Sequence, residues 1–225
     1  MYERILMLVV FYPVFLFSLS VHEAAHGYAA EKFGDDTARL MGRVTLNPIA
    51  HMDIVGTVLL PIILMLSGSP FLFGWGKPVP VNPYRLKGDV RRSSLWVSIS
   101  GPVSNIMLAI LFAGVMHAVY LIAPSLPLEW LTQGSKGAST IGMFLEICRM
   151  GVFLNLVLAF FNLIPLPPLD GGTVLRGILP ASKLDAFDNF SRYSFFILLI
   201  LIFTRVLSYI ILPPVMFLAR YLLPA

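Results

Sequence analysis

The chain has 225 residues, is 57% hydrophobic and 12% charged, and carries a formal net charge of +4. A soluble domain averages about 25% charged residues, so the composition excludes an ordinary water-soluble protein and points to a multi-pass membrane protein. The single cysteine, Cys148, excludes an internal disulfide framework and a cysteine-rich metal centre, and reads as a small apolar packing residue.

The first apolar run covers residues 5–30. As a helix it is roughly 39 Å long, enough to cross a hydrocarbon core of about 30 Å. It lacks a small-residue cleavage pattern, so it is expected to be a retained first helix and not a signal peptide. His22 falls about 25 Å along it, near the far face of the membrane.

A second apolar stretch, residues 54–66, is short for a span and runs into the Gly- and Pro-rich "SGSPFLFGWGKPVPVNP". Residues 71–81 alternate loosely, so a re-entrant or β-like segment is expected near 70–83. Irregular backbone at that depth must be buried in protein or line a wet cavity. Residues 95–123 form a third segment containing "SGPVSN", and residues 141–164 a fourth that ends in "FFNLIPLPPLDGG". A fifth, residues 191–212, is expected to stop at Pro213–Pro214, with an apolar tail beyond. The expected fold is thus an all-α multi-pass membrane protein of about five to six transmembrane helices. It forms one integral-membrane domain over 1–225, with no separate soluble domain and no internal repeat.

The basic residues sit in loops, so membrane topology accounts for the net charge better than nucleic-acid binding does. Lys32, Arg39, Arg43, Lys77, Arg85, Lys87, Arg91, Arg92, Arg176, Lys183 and Arg192 follow the first, second and fourth segments. Arg4 and Lys136 fall on the other side. The positive-inside rule then makes the loops at 31–53, 77–94 and 166–190 cytoplasmic, provided residues 54–76 enter and leave by one face. Two polar clusters, residues 22–26 and 162–172, converge on that side.

The first cluster, "HEAAH" at 22–26, matches H-E-x-x-H. Residues four apart share a helix face, so His22 and His26 can hold one metal ion, while Glu23 is offset around the helix toward a water on that ion. Three ionisable groups within five residues of a span are costly in lipid unless paired or functional. Ser18, Ala25 and Ala29 lie on the same stripe and are small enough to let other helices approach. A catalytic zinc usually has three protein ligands and one open position. His51, His117, Asp53 and Asp170 are candidates for the third. Asp170 stands out, because the prolines before it are expected to hold the chain extended beyond the helix and Gly171–Gly172 permit close backbone approach. The bland alternative is an Asp that caps a helix at 173–179.

His22, Glu23, His26 and "FNLIPLPPLDGG" resemble the two signature motifs of the site-2 protease family of intramembrane zinc metalloproteases. The resemblance covers most of the chain in order: H-E-x-x-H on an early helix, G-P-x-x-N at 101–105, and N-x-x-P-x-x-P-L-D-G near the end of a later helix. "NPIAHMD" at 47–53 is similar to the compact, PDZ-free bacterial and archaeal members. The resemblance implies one Zn(2+) per chain held by His22, His26 and Asp170, with Glu23 as general base. It implies Asn162 as a polar group that stabilises the tetrahedral intermediate. Asn155, on nearly the same helical face as Asn162, is a supporting candidate, as are Asn105, Asn47, His51 and Asp53 as second-sphere or gating residues. His117 lies outside these motifs and reads as structural.

The function so implied is hydrolysis of peptide bonds in transmembrane substrates, in the cell membrane, with the active site toward the cytoplasm. A substrate helix must unwind locally, and the segment at 71–81 offers an edge on which the unwound strand could pair. The Gly/Pro stretch at 67–83 could also serve as a channel or mobile wall for water. The expected partners are transmembrane substrates and the lipid bilayer, with no nucleic acid. Two other classes of function are a membrane zinc transporter and a catalytically inactive helix-binding scaffold. A transporter needs further intramembrane ligands and a path to both faces. An inactive scaffold has no need of an intact His22, Glu23, His26 and Asp170.

Overall fold

The computed structural model describes residues 2–67, 74–123 and 140–224. Among them the regular structure is entirely helical. Helix α1 spans Tyr2–Lys32 and at 1.5 Å per residue is about 46 Å long. A short α2, Thr37–Leu40, follows it. A 3₁₀ turn at Pro48–His51 and a π-helical stretch at Ile54–Leu59 lead into α3, Leu60–Leu66. Then come α4, Val90–Ile122, α5, Thr140–Asn162, α6, Asp170–Ile178, α7, Leu184–Phe203, and α8, Val206–Leu222.

Three helical segments among the described residues are long and apolar enough to cross a membrane: Val90–Ile122, Thr140–Asn162 and Ala181–Phe203. Their outward faces carry exposed Met107, Ile110, Leu111, Phe144, Phe196 and Ile200. In water such a surface would be an aggregation hazard, and in lipid it is solvated.

Helix α4 is the central element, packed against α1, α5 and α6, while α8 packs on α5. The main core joins Ala109 and Ala113 of α4 to Val152 and Leu156 of α5, Leu198 of α7, and Leu207, Ile211 and Val215 of α8. Small residues set the close approaches, as expected where lipid removes the hydrophobic drive between helices. A Cβ on Gly151 would stand 2.6 Å from the Phe112 ring. Cys148 is buried with Met116 and Leu145, in the packing role its apolar surroundings suggest.

Three sequence expectations need correction. Residues 74–82 carry no regular structure, so the described half of the expected β-like segment is not a strand; residues 68–73, and Lys136, lie outside the described residues. The last apolar stretch does not stop at Pro213–Pro214. The break comes earlier, where Arg205 adopts a left-handed conformation (φ 60°), and both prolines lie inside α8. Membrane helices accommodate proline when neighbouring groups satisfy the freed carbonyls. Residues 163–169 are not extended either. Leu166 N–H donates to the Ile164 carbonyl (2.7 Å) and Leu169 N–H to the Leu166 carbonyl (2.9 Å), so the prolines turn the chain back on itself.

The basic loops gather at one end of the bundle. Lys87 N–H donates to the Phe33 carbonyl (2.7 Å) and Asn82 N–H to Asp35 (2.6 Å). Arg85 pairs with Asp36 (2.6 Å). Arg91 donates to the Gly177 carbonyl (3.3 Å) and the Leu179 carbonyl, tying the start of α4 to the end of α6.

Candidate active site

His22, Glu23 and His26 are all buried, on the last third of α1. Asp170 opens α6, and the turns at 163–169 swing it against the two histidines. It is not the helix cap: Leu169 holds that position, and the Asp170 carboxylate faces the imidazoles instead. Gly171 and Gly172 make this return possible. A Cβ on Gly171 would lie 2.3 Å from the Leu163 carbonyl oxygen, and one on Gly172 would lie 2.5 Å from Pro167 N.

The donor atoms form a tight triangle. His22 Nε2 and His26 Nε2 are 3.0 Å apart. His22 Nε2 lies 3.2 Å from Asp170 Oδ2, and His26 Nε2 lies 3.4 Å from Asp170 Oδ1. A tetrahedral zinc with bonds of about 2.0–2.1 Å holds its ligand atoms about 3.3 Å apart. The hydrogen bonds on the far side of each ring agree. His26 Nδ1 donates to the Val97 carbonyl (2.8 Å), and His22 Nδ1 faces Asn105 Oδ1 (2.6 Å). With each Nδ1 donating, each Nε2 presents a lone pair, and Asp170 Oδ2 is buried without a hydrogen-bond partner. Two lone pairs and a carboxylate aimed at one point fit a divalent cation.

Gly101 of α4 leaves the room this cluster needs. A Cβ there would stand 2.4 Å from His26 Nε2 and 2.6 Å from His22 Cε1. Its place at the head of the G-P-x-x-N motif was the sequence signal available for it.

Glu23 lies beside the triangle and outside it. Its Oε2 accepts a hydrogen bond from Val79 N–H at 2.7 Å. Residues 74–82 thus run across the site as a strap. Trp75 N–H donates to the Gly56 carbonyl (3.3 Å) and Lys77 N–H to the His51 carbonyl (2.9 Å), while Arg43 Nη2 donates to the Lys77 (2.7 Å) and Pro78 (3.3 Å) carbonyls. Sequence reasoning missed the role of Arg43, and it expected the Gly/Pro stretch at 67–83 to be a channel or mobile wall without the hydrogen bond from Val79 to Glu23. Pro78 and Pro80 have no N–H, and the N–H groups of residues 75, 77 and 79 are already engaged. This stretch is therefore a poor edge for pairing with a substrate strand.

The remaining candidates divide. Asn105 is fully buried against His22, and Asn155 is fully buried behind it, against Asn105. Asn162 ends α5 and donates to the Leu158 carbonyl of its own helix (3.0 Å). Asn47 and Asp53 serve local structure: Asn47 accepts from Ile49 N–H (3.1 Å), and Asp53 from Val55 N–H (3.0 Å) and Gly56 N–H (2.7 Å). His51 is buried, with Nε2 on the Thr45 carbonyl (2.8 Å), and His117 bonds the Ala113 carbonyl of its own helix (2.9 Å). Among the described residues, only His22, His26 and Asp170 form a cluster that could hold a metal ion.

Comparison with known proteins identifies the family. The chain is 40% identical to YwhC of Bacillus subtilis (strain 168) over 87% of its own length and 81% of that protein. It is 28% identical to Rip2 of Mycolicibacterium smegmatis over 86% of its length, covering 66% of that protein, and 26% identical to Rip2 of Mycobacterium tuberculosis (strain H37Rv) over 86% and 66%. Each of these relatives is designated a zinc metalloprotease by its name. No solved structure matches the chain. The profile of peptidase family M50 matches residues 10–204, and the chain belongs to that family, the site-2 proteases.

Proposed function

We propose that His22, His26 and Asp170 hold the zinc ion of an intramembrane metalloprotease, with Glu23 as its general base. Membership in a peptidase family makes peptide-bond hydrolysis the reaction class. The residue roles rest chiefly on the spacing of the three donor atoms, which lie within 4.8 Å of one another and suit a tetrahedral centre. When bound, zinc supplies Lewis acidity and lowers the pKa of water toward about 7.

The chain's own groups do the rest. Val79 engages Glu23 Oε2, leaving Oε1 to accept the proton of the attacking water and to pass it to the leaving amine. Asn162 contributes once its amide turns from the Leu158 carbonyl toward a bound substrate, where it can donate to the developing oxyanion. Burial of the cluster strengthens each of these interactions. Asn47, His51 and Asp53 act indirectly, by holding the loop on which the strap rests.

The substrates are transmembrane segments that unwind at the site. The chain acts as one membrane-embedded domain of five spans, the lower figure of the expected five to six: α1 and α8 join the three helices long enough to cross, and the seven-residue α3 enters and leaves by one face. A site toward the cytoplasm is supported by the positive-inside rule, because Lys32, Arg43, Lys87, Arg91 and Arg176 lie in or beside the loops on that side.

The test is zinc content and cleavage of a single-span substrate by the purified chain, beside Glu23→Gln. One zinc in both proteins with cleavage only by the native chain supports the assignment. Equal cleavage by both removes Glu23 as the base, and no zinc in either removes the metal reading.

A further inference from the structure

We propose that Asn105 and Asn155 form a polarity relay that sets the tautomer of His22, and that Asn105 is a positioning residue for the metal site. The proposal rests on the zinc reading above and adds to it what orients the first ligand.

The relay can be read from its far end. Asn155 Nδ2 lies 2.8 Å from the Gly151 carbonyl oxygen. A carbonyl only accepts, so Asn155 must turn its NH₂ group there and its Oδ1 the other way. That Oδ1 accepts from Asn105 Nδ2 at 2.8 Å. Asn105 therefore turns its own Oδ1 outward, onto His22 Nδ1 at 2.6 Å. An amide oxygen cannot donate, so His22 Nδ1 carries the proton and Nε2 is left bare for a metal. Two lateral contacts hold the same direction. Asn105 Nδ2 lies 3.4 Å from the Ser18 carbonyl, and Asn155 Nδ2 donates to Ser18 Oγ at 2.9 Å.

Asn105, Asn155 and Ser18 are all fully buried and come from α4, α5 and α1. Full burial shields these groups from bulk solvent; turning Asn155 over would set its Oδ1 on the Gly151 carbonyl, and turning Asn105 over would set its Oδ1 on Asn155 Oδ1 and the Ser18 carbonyl. His26 needs no such relay, because its Nδ1 meets the Val97 carbonyl directly.

The experiment uses the full chain in detergent, native and as Asn105→Leu, Asn105→Asp and Asn155→Leu. One measurement is zinc affinity by competition with a chromophoric chelator. The second is the imidazole spectrum of the ¹⁵N-histidine-labelled, metal-stripped protein, which reports the tautomer. The native chain is expected to hold His22 with Nδ1 protonated. Asn105→Leu should lose that preference and bind zinc about ten- to a hundredfold more weakly, the usual cost of removing an outer partner. Asn155→Leu should fall between the two, since the Ser18 carbonyl still biases Asn105.

Asn105→Asp is the decisive variant. It keeps an acceptor on His22 Nδ1 while giving up the donor to Asn155 Oδ1, so it should keep the tautomer and bind zinc more tightly than Asn105→Leu, whereas a purely structural role for the amide would make the two variants equal. Native-like zinc affinity and tautomer in Asn105→Leu, or equal losses in the Asp and Leu variants, would overturn the relay. If the native chain takes up no zinc, the metal reading fails, and the tautomer spectra still decide whether the relay exists.

Discussion

The backbone N–H of Val79 donates to Glu23 Oε2 at 2.7 Å, so the carboxylate assigned as general base is also a fastening point for the strap over the site. Arg43 fastens the same strap two residues earlier, through the Lys77 and Pro78 carbonyls. It is buried yet lies outside the donor triangle.

Removing Arg43 should therefore loosen the cover without touching a ligand. Hydrogen bonds from a charged group contribute about 1.5–3 kcal/mol, so Arg43→Ala should raise the open population of the strap by roughly tenfold or more. The measurement is the rate at which a chelator strips zinc from the loaded chain. Faster release with unchanged zinc stoichiometry is expected, and identical release rates would remove Arg43 from this role.

Gly101→Ala should damage the site directly. The added methyl would meet His26 Nε2 at 2.4 Å and His22 Cε1 at 2.6 Å, atoms held on the rigid face of α1. Overpacking of this kind costs about 1–3 kcal/mol. Zinc affinity is expected to fall at least about tenfold, because an imidazole moved off the triangle loses its metal geometry. Full zinc binding by the Ala variant would show that α1 and α4 can separate at no cost to the site.

Arg91 caps the helix that presents Asp170. Its guanidinium donates to the Gly177 carbonyl (3.3 Å) and to the Leu179 carbonyl at the end of α6. A cation at that position satisfies orphan carbonyls and favours the helix dipole. Arg91→Ala should lower stability by about 1–3 kcal/mol and weaken zinc binding several-fold, while Arg91→Lys recovers part of both. Calorimetry and chelator competition on the same preparations check this, and a stability loss with native zinc affinity would mean that α6 is held by its glycine packing alone.

Asp35 should give the fold an acid-sensitive joint. It is buried in the loop after α1 and accepts from Thr37 N–H (3.1 Å), the Thr37 hydroxyl and Asn82 N–H (2.6 Å). Burial raises its pKa, but the bonds from Thr37 and Asn82 and the charge of Arg85 outweigh that, so the carboxyl sits below the usual aspartate range. A lowered folded value means that the unfolded chain binds the proton more readily. The contribution is full above the unfolded value of about 3.9 and is lost as the pH falls through the folded value. Native and Asp35→Asn chains should differ more in thermal stability at pH 6 than at pH 3. An equal difference at both would contradict it.

The sequence by itself determined the chemistry. Spacing four apart puts His22 and His26 on one helical face wherever the helix lies, and the cost of polar groups in lipid makes them hard to read as packing. Composition determined the membrane class for a similar reason: long apolar runs need lipid. The glycines after Asp170 announced a close approach, and the structure shows what they approach, the Leu163 carbonyl and Pro167. What only the tertiary structure decided is which distant groups meet. Asp170 reaches the histidines because residues 163–169 turn, where the prolines alone suggested extension. Arg43 reads as a loop charge until the strap lies across it, and Val79 acts through a backbone N–H that no side-chain pattern encodes. Asn105 stood in a recognisable motif and Asn155 on the helical face of Asn162, but the direction of their amides depends on the Ser18 carbonyl of α1 and the Gly151 carbonyl of α5. Local spacing fixes which side chains share a face, whereas the direction of a hydrogen bond is a property of both its ends, and only the folded chain brings those ends together.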